Sequence, residues 1–371
     1  MISHFLDLIP LDLFSKNSTV GLKNLYMLLK RANGINVSVR TKSFHLASPP
    51  LPKKERNDYF PEHIQKYVWS MSQKYEEVII ELGHRKITIK FIYMKDTDYT
   101  GFKLTQYLPY LKVWFALISM ICPTNWCNQT LDIYIYLTKF KKEMPSKGKE
   151  ITANEINSAY TFVCEKNGHI VIYRQEEWFK VLIHETIHSF CLDFSQSSET
   201  QLCECLHGEF QFIVENALYC ESYTETWAEI LNCAIISYVD SGGGFKDFSL
   251  YFNFYIQVEI IHSIFQANKI LSHYGYSFSS LREKRTPWNQ STHIYEYHIV
   301  KTILLASYSK FLSWCAHYNG KALVPFKKGS SLLPFCSLIK ESYKNVNLFK
   351  KAQKVEGRNN GDSLRMSICE I

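Results

Sequence analysis

Hydrophobic residues recur along the chain with two different periods, and the change between them divides the sequence into two parts. In residues 86–94 and 131–137 apolar and polar residues alternate, which predicts β-strands. The same part of the chain contains three further strand patterns and three helical ones, so a mixed sheet with helices is expected there. These strands are predicted at residues 77–82, 157–163 and 169–173, and the helices at residues 20–32, 61–74 and 104–121.

The second part is helical almost throughout, because apolar residues after residue 193 recur at three- and four-residue steps. Helices are predicted at residues 206–220, 223–238, 249–273 and 293–317. A Pro-rich connector at residues 48–54 marks the first boundary of the chain. The pattern therefore predicts an α+β protein with a mixed segment at 1–60, a sheet subdomain at 61–195, a helical subdomain at 196–354 and a mobile tail at 355–371.

The stretch WFKVLIHETIHSFCLD, residues 178–193, joins the two parts and carries a regular helical pattern without Pro or Gly. It contains an H-E-x-x-H motif. On a helix His184 and His188 lie one turn apart on one face, and two imidazoles at that spacing can bind one Zn²⁺ ion. Glu185 is then placed to act as general base toward a water on the metal. The motif predicts a zinc site.

A zinc site of this kind needs a third protein ligand, and its type decides the class. The three-histidine pattern is excluded, because Cys191 and Phe194 stand where that pattern requires Gly and His. A glutamate from a second helix is therefore expected. Three glutamates spaced by four residues share one helical face: Glu221, Glu225 and Glu229. Glu225 is predicted as the zinc ligand, and Glu229 as the acceptor of the N–H of a histidine ligand. Glu209, Glu221 and Glu229 remain alternative ligands.

The two motifs together carry a resemblance. H-E-x-x-H followed by E-x-x-A-E (ETWAE, residues 225–229) resembles the gluzincin group of zinc metallopeptidases, and the second motif is similar to the glutamate helix of the anthrax lethal factor type. Residues 157–193 also resemble uncharacterised metallopeptidase-like proteins of large DNA viruses. Over residues 130–240 the resemblance implies a zincin-like mixed sheet above the metal helix and hydrolysis of peptide bonds. The chain departs from the thermolysin spacing, with 36 residues between His188 and Glu225.

Further site residues are predicted from their positions. Tyr223 and Tyr297 are candidates to stabilise the oxyanion, with Tyr295, His293 and His298 as alternatives. The strand at residues 157–163 is expected at an edge of the sheet, where it can pair with an extended peptide or protein substrate. The residues predicted to bind substrate in this way are Ser158, Ala159 and Tyr160.

Composition narrows the remaining function classes. Hydrophobic residues make up 46% of the 371 residues, which excludes a disordered chain, and the net charge of +7 is too diffuse to indicate a nucleic-acid partner. The longest apolar run, residues 113–122, is too short for a membrane span. No signal peptide is recognised, and 11 Cys at irregular spacing do not resemble a disulfide framework. A cytoplasmic location is expected, which for a viral protein means host cytoplasm or virion.

Three hypotheses follow for the function. The first is a zinc-dependent endopeptidase with one Zn²⁺ per chain. The second is a protein of the same fold that binds zinc as a scaffold without turnover. The third is a helical interaction protein without a metal. The sequence predicts no oligomeric state.

Overall fold

The structure is a computed structural model that describes residues 20–45, 50, 59–122, 124–210, 214, 216–283, 288–356 and 361–371. The start of the predicted N-terminal segment and the Pro-rich connector, apart from Pro50, lie outside the described residues. The fold is α+β, as predicted, with a six-stranded mixed sheet. Within the described residues, no helix has the length and apolar character needed to cross a membrane.

The strands of the described chain are β1 (Ser38–His45), β2 (Ser72–Leu82), β3 (Arg85–Met94), β4 (Thr130–Leu137), β5 (Ala159–Thr161) and β6 (Asn167–Ile172). The helices are α1 (Val20–Asn33), α2 (Glu62–Met71), α3 (Leu104–Ile121), α4 (Ala153–Ile156), α5 (Trp178–Ser189), α6 (Thr200–Phe210), α7 (Tyr219–Asp240), α8 (Phe245–His273), α9 (Lys301–Leu305), α10 (Tyr308–Tyr318), α11 (Leu333–Tyr343) and α12 (Val346–Val355). A π-helix, Tyr295–Val300, directly precedes α9.

The chain divides into two compact units. The sheet unit consists of Met27–Lys141, Asn157–Leu192 and Glu370–Ile371, and the helical unit consists of Met1–Tyr26, Lys142–Ile156 and Asp193–Cys369. The sheet unit contains all six strands together with α2, α3 and α5. The helical unit contains α4 and α6 to α12.

In the sheet unit the strand order is β1-β2-β3-β4-β6-β5. The three central strands β3, β4 and β6 are parallel, and the outer strands pair antiparallel to their neighbours. Isoleucines of the parallel strands lie side by side, with Ile89 opposite Ile133 and Ile133 opposite Ile170. All three are fully buried. The face of the sheet on which these three side chains lie is therefore covered.

Helices cover the two faces of this sheet. Ile64 and Val68 of α2 pack in one cluster with Tyr136 of β4 and Val171 of β6. On the opposite face, the first residue of α5, Trp178, packs edge-on against Phe91 of β3 at 5.2 Å between ring centroids. The helix that carries the H-E-x-x-H motif therefore lies against the sheet, and its residues are buried.

In the helical unit α7 is the central element. Nineteen of its 22 residues are buried, and it packs against α8, α9 and the π-helix. Apolar residues all round a helix indicate such a buried position. The segment 361–371, predicted as part of a mobile tail, contains the buried side chains of Leu364, Met366 and Ser367.

The predicted elements agree with the structure in most places. The helices at residues 20–32 and 104–121 and the strands at 77–82, 86–94, 131–137 and 169–173 are confirmed to within three residues at the ends of the predicted ranges, except that β2 begins five residues earlier. Strand β1 was not predicted. The predicted helix at 206–220 is wrong after Phe210, because Tyr219 already begins α7. The single helix predicted at 293–317 is three consecutive helical segments.

Candidate metal centre

Helix α5 carries the H-E-x-x-H motif within the sheet unit. It begins after Glu177, whose backbone is left-handed with φ of 50° and whose N–H donates to Glu370 Oε1 at 2.8 Å. It ends in a Schellman motif, with Cys191 left-handed at φ of 54°, Cys191 N donating to His188 O and Leu192 N donating to Ile187 O. Both ends of the helix are therefore fixed by hydrogen bonds, which sets the position of the motif.

The two histidines of the motif face each other across one helical turn. His184 Nε2 and His188 Nε2 are 3.0 Å apart. His184 is 7% exposed and His188 is 8% exposed. Two zinc–nitrogen bonds of about 2.0–2.1 Å that meet at one ion span this distance at an angle of about 95°. The donor set and its spacing therefore fit one zinc ion without movement of the helix.

Glu185, the proposed general base, lies between the histidines in sequence and is 9% exposed. Tyr173, the residue that follows β6, lies within electrostatic reach of it. Burial raises the pKa of Tyr173 well above its ordinary value, and the negative charge of Glu185 contributes to the rise. Tyr173 was not predicted as a site residue, although its position at the end of the strand that precedes α5 could have indicated it.

Thr186, midway between the two histidines of the motif, connects α5 to α3 by a hydrogen bond. Its Oγ1 accepts a hydrogen bond from Trp114 Nε1 at 2.9 Å and donates to Leu182 O at 2.7 Å. At the end of the helix Asn128 Nδ2 donates to Ser189 O at 2.9 Å. These contacts hold the side of α5 that faces away from the histidine pair.

The acidic helix α7 lies in the helical unit, and carboxylates cap its N-terminus. Glu199 accepts hydrogen bonds from Tyr219 N at 2.6 Å and Cys220 N at 3.2 Å, and Glu296 accepts one from Leu218 N at 3.0 Å. Helix N-termini stabilise negative charge in this way. Burial nevertheless raises the pKa of each of these two carboxyls, and together with a smaller contribution from the charge of Glu221 it brings each pKa to about 7.

The three glutamates of α7 differ in their surroundings. Glu221, in the first turn, is partly exposed, whereas Glu225 is 1% exposed and Glu229 is fully buried. Glu229 Oε1 accepts a hydrogen bond from Lys301 Nζ at 3.2 Å, so that the two form a buried ion pair. Its predicted role toward a histidine stays a prediction, and the lysine is a partner that the sequence did not indicate.

The tyrosines predicted to stabilise an oxyanion lie in the helical unit. The Tyr223 hydroxyl donates to Val324 O at 2.6 Å and accepts from Asn319 Nδ2 at 2.8 Å, within a cluster of phenylalanine rings. These contacts do not support the predicted role of Tyr223 in stabilising an oxyanion. Tyr297 lies on the π-helix, partly exposed, with its ring 6.2 Å from that of His293. Single-turn π-helices are frequent at functional sites.

The predicted substrate strand is at an edge of the sheet. Within the described part of the chain β5 pairs with β6 only, with Ala159 opposite Ile172 and Tyr160 opposite Val171. Ser158 O accepts a hydrogen bond from Tyr173 N at 2.8 Å. The strand is three residues long rather than the seven predicted. Its position at the edge is confirmed, and its role toward a substrate stays a prediction.

The structure contains two disulfide bonds that the irregular cysteine spacing did not predict. Cys127 is bonded to Cys164 in the sheet unit, and Cys205 to Cys336 in the helical unit.

No protein-family model, no curated protein sequence and no solved structure matches this chain. The resemblance to gluzincins therefore depends on the two motifs alone.

Proposed function

We propose that the protein is a zinc-dependent endopeptidase, and that one zinc ion is bound by His184, His188 and a glutamate of α7. The observation that carries the proposal is the pair of Nε2 atoms 3.0 Å apart on a buried helix that also presents Glu185. Two buried imidazoles at this distance are stabilised if both coordinate one metal ion. A zincin-like arrangement of sheet and metal helix is part of the proposal.

For the third ligand we propose Glu221, one of the glutamates of α7 that the sequence leaves open as alternatives. Within α7 this choice has a physical reason. Glu229 is already paired with Lys301, and Glu225 is almost completely buried, whereas Glu221 is accessible to an ion at the start of the helix. Glu225, the ligand predicted from the sequence, remains the alternative to test.

The residues of α5 have two different roles in the proposed reaction, metal binding and proton transfer. A zinc ion held by His184, His188 and a glutamate of α7 would supply Lewis acidity and would lower the pKa of a water to about 7. Glu185 accepts the proton of the attacking water and returns it to the leaving amine. His184 and His188 hold their geometry because the hydrogen bonds at both ends of α5, and from Trp114 to Thr186, fix the helix.

The edge strand β5 supplies a place for an extended peptide. An edge strand offers backbone N–H and C=O groups to a peptide that adds to the sheet. Ser158, Ala159 and Tyr160 would take part in this pairing. Substrates of the proposed activity are therefore polypeptides in an extended conformation.

Metal analysis and a cleavage assay test the proposal together. The purified wild type is expected to contain one equivalent of zinc and to cleave a mixed peptide library. Glu185→Gln, which keeps the shape of the side chain, should retain zinc and lose cleavage. His188→Ala should lose both.

The third ligand is tested with Glu221→Ala beside Glu225→Ala, a matched change one turn further along the same helix. Loss of zinc in Glu221→Ala only supports the proposed ligand, and loss in Glu225→Ala only supports the sequence prediction. A wild type with zinc that cleaves no peptide would overturn the peptidase and favour the scaffold. A wild type and a His188→Ala variant that are equally free of zinc would overturn the metal site.

A further inference from the structure

The last residues of the chain are bound to the helical unit by many polar contacts. Lys269 Nζ donates to Ser363 O at 2.6 Å, Lys301 Nζ donates to Met366 O at 3.3 Å, and Asn232 Nδ2 donates to Cys369 O at 2.9 Å. These donors come from three helices, α7, α8 and α9. The segment 363–369 is therefore a strap, held by these side chains and, at its start, by an antiparallel backbone bridge between Ser363 and Glu143.

Glu259 of α8 is the main anchor of this strap. It is fully buried, and its Oε1 accepts hydrogen bonds from Ser367 Oγ at 2.6 Å, Ile368 N at 3.1 Å and Cys369 N at 2.7 Å. Successive N–H groups that converge on one carboxylate make strong hydrogen bonds. The carboxylate is thus occupied in fixing the backbone on both sides of Ile368.

The anchored backbone brings two free thiols together. The sulfurs of Cys369 in the strap and Cys233 in α7 lie within 4.8 Å of each other and of a Glu259 oxygen. Cys233 is fully buried, whereas Cys369 is partly exposed. Burial raises the pKa of the Cys233 thiol to about 11, so the pair is in the thiol form near neutral pH.

We propose that Cys233 and Cys369 are a redox-active pair that closes to a third disulfide bond and covalently fastens the C-terminal strap to α7. Two features support a disulfide over a shared metal ion. The pair offers two sulfurs that lie within 4.8 Å of each other, and the nearby carboxylate is already bound by Ser367 and two backbone N–H groups.

The oxidant is a low-molecular-weight disulfide. The partly exposed Cys369, once deprotonated, attacks one sulfur of this disulfide, and the other sulfur leaves as a thiolate. Cys233 then attacks the Cys369 sulfur and releases the second thiolate. The two protons of the protein thiols pass to the two leaving thiolates, and the two electrons reduce one disulfide to two thiols while one protein disulfide forms.

The bond adds a covalent link between the strap and α7 within the helical unit. Closure of the pair is therefore expected to stabilise the folded protein. This effect does not depend on the proposed peptidase activity.

The test uses the full-length protein after incubation with oxidised glutathione, followed by peptide mapping without reduction. Wild type is expected to give a linked pair of peptides that contain Cys233 and Cys369, two hydrogens lighter than the separate peptides. Cys233→Ser should instead retain a glutathione adduct on Cys369, because the thiol that displaces it is missing. The thermal midpoint should shift upward on oxidation in wild type and in neither single variant.

Cys315→Ser is the matched control, since Cys315 is a fully buried free thiol whose described neighbours are Tyr223 and Trp227. It should behave as wild type. Cys369→Ser, at a partly exposed position, serves if Cys233→Ser does not fold, and it should abolish the linked pair. A stable glutathione adduct on Cys369 in wild type, or zinc that binds wild type and is lost in Cys369→Ser while His188→Ala keeps it, would overturn the proposal.

Discussion

Lys301 and Glu229 form a buried ion pair in the helical unit, with Lys301 Nζ 3.2 Å from Glu229 Oε1 and side-chain exposures of 1% and 0%. Lys301 also donates to Ser263 Oγ at 3.0 Å and to Met366 O at 3.3 Å. The ammonium group thus joins α7, α8 and the C-terminal strap at one point. A buried charge of this kind is tolerated only because its partners compensate for lost hydration.

We expect Lys301→Met to destabilise the protein by about 3–5 kcal/mol, because the change leaves Glu229 without its buried counter-charge. Urea unfolding at neutral pH measures the loss. The double variant Lys301→Met with Glu229→Gln removes both charges and should recover a large part of it. A loss below about 1 kcal/mol in the single variant would show that the pair contributes little.

The bond between Trp114 and Thr186 gives a second prediction, in the sheet unit. Thr186→Val keeps the volume but leaves the buried indole N–H of Trp114 without its acceptor, which should cost about 1–3 kcal/mol. The double variant with Trp114→Phe should cost less than the sum of the two single changes, because no unsatisfied donor remains. Urea unfolding of the three variants gives this coupling.

Thr226→Val is the matched control for this change. Thr226 is a fully buried threonine of α7 whose described hydrogen bond goes to Ser222 O of its own helix, at 2.6 Å. It should lose less stability than Thr186→Val. Equal losses at the two sites would show that the contact with Trp114 adds nothing to the position of α5.

Two tyrosines of one cluster make a third prediction, with different outcomes for the same chemical change. The Tyr173 hydroxyl is buried and makes no hydrogen bond within the described residues, whereas the Tyr136 hydroxyl donates to Pro50 O at 2.6 Å. Tyr136→Phe should therefore destabilise by about 1 kcal/mol, and Tyr173→Phe should leave stability unchanged or raise it. Thermal unfolding distinguishes them. A larger loss in Tyr173→Phe would reveal a bonded partner of its hydroxyl.

How far the sequence predicted the fold depends on whether the signal was local. α3 and the β2–β3 hairpin follow from periodicity and from Gly83, which adopts φ of 59° at the turn. β1 does not, because nearly all its residues are exposed and its polar sequence becomes a strand only through pairing with β2. Edge strands of this type carry little hydrophobic pattern of their own.

The candidate site shows the same limit. Residues 184–188 on one helix could be recognised from spacing, because a four-residue step on a helix is local geometry. The partners of that helix could not. Trp114 is 72 residues from Thr186, Glu370 is 193 residues from Glu177, and Lys301 is 72 residues from Glu229, so only the folded chain identifies these contacts.

The carboxyl of Glu296 gives the pH dependence that we expect for the metal-free protein. Burial raises its pKa from 4.5 to about 7 in the folded state, although Gln290 and Leu218 N donate hydrogen bonds to it. Between about pH 4.5 and 7 the folded protein therefore holds a proton that the unfolded chain has lost. The free energy of unfolding contributed by this group falls as pH rises through that window and is constant above it.

Glu296→Gln removes this titration and keeps an oxygen acceptor for Leu218 N. The free energy of unfolding of the variant minus that of wild type should rise by about 1–3 kcal/mol from pH 5 to pH 8, as measured by urea unfolding at both pH values. Glu204→Gln, which changes an exposed carboxyl of α6, is the matched control and should stay parallel to wild type within about 0.5 kcal/mol. If Glu296→Gln also stays parallel, Glu296 is already ionised in the folded protein at pH 5. The cap on α7 would then be a carboxylate throughout this range, and the helix N-terminus, rather than protonation, would offset its burial.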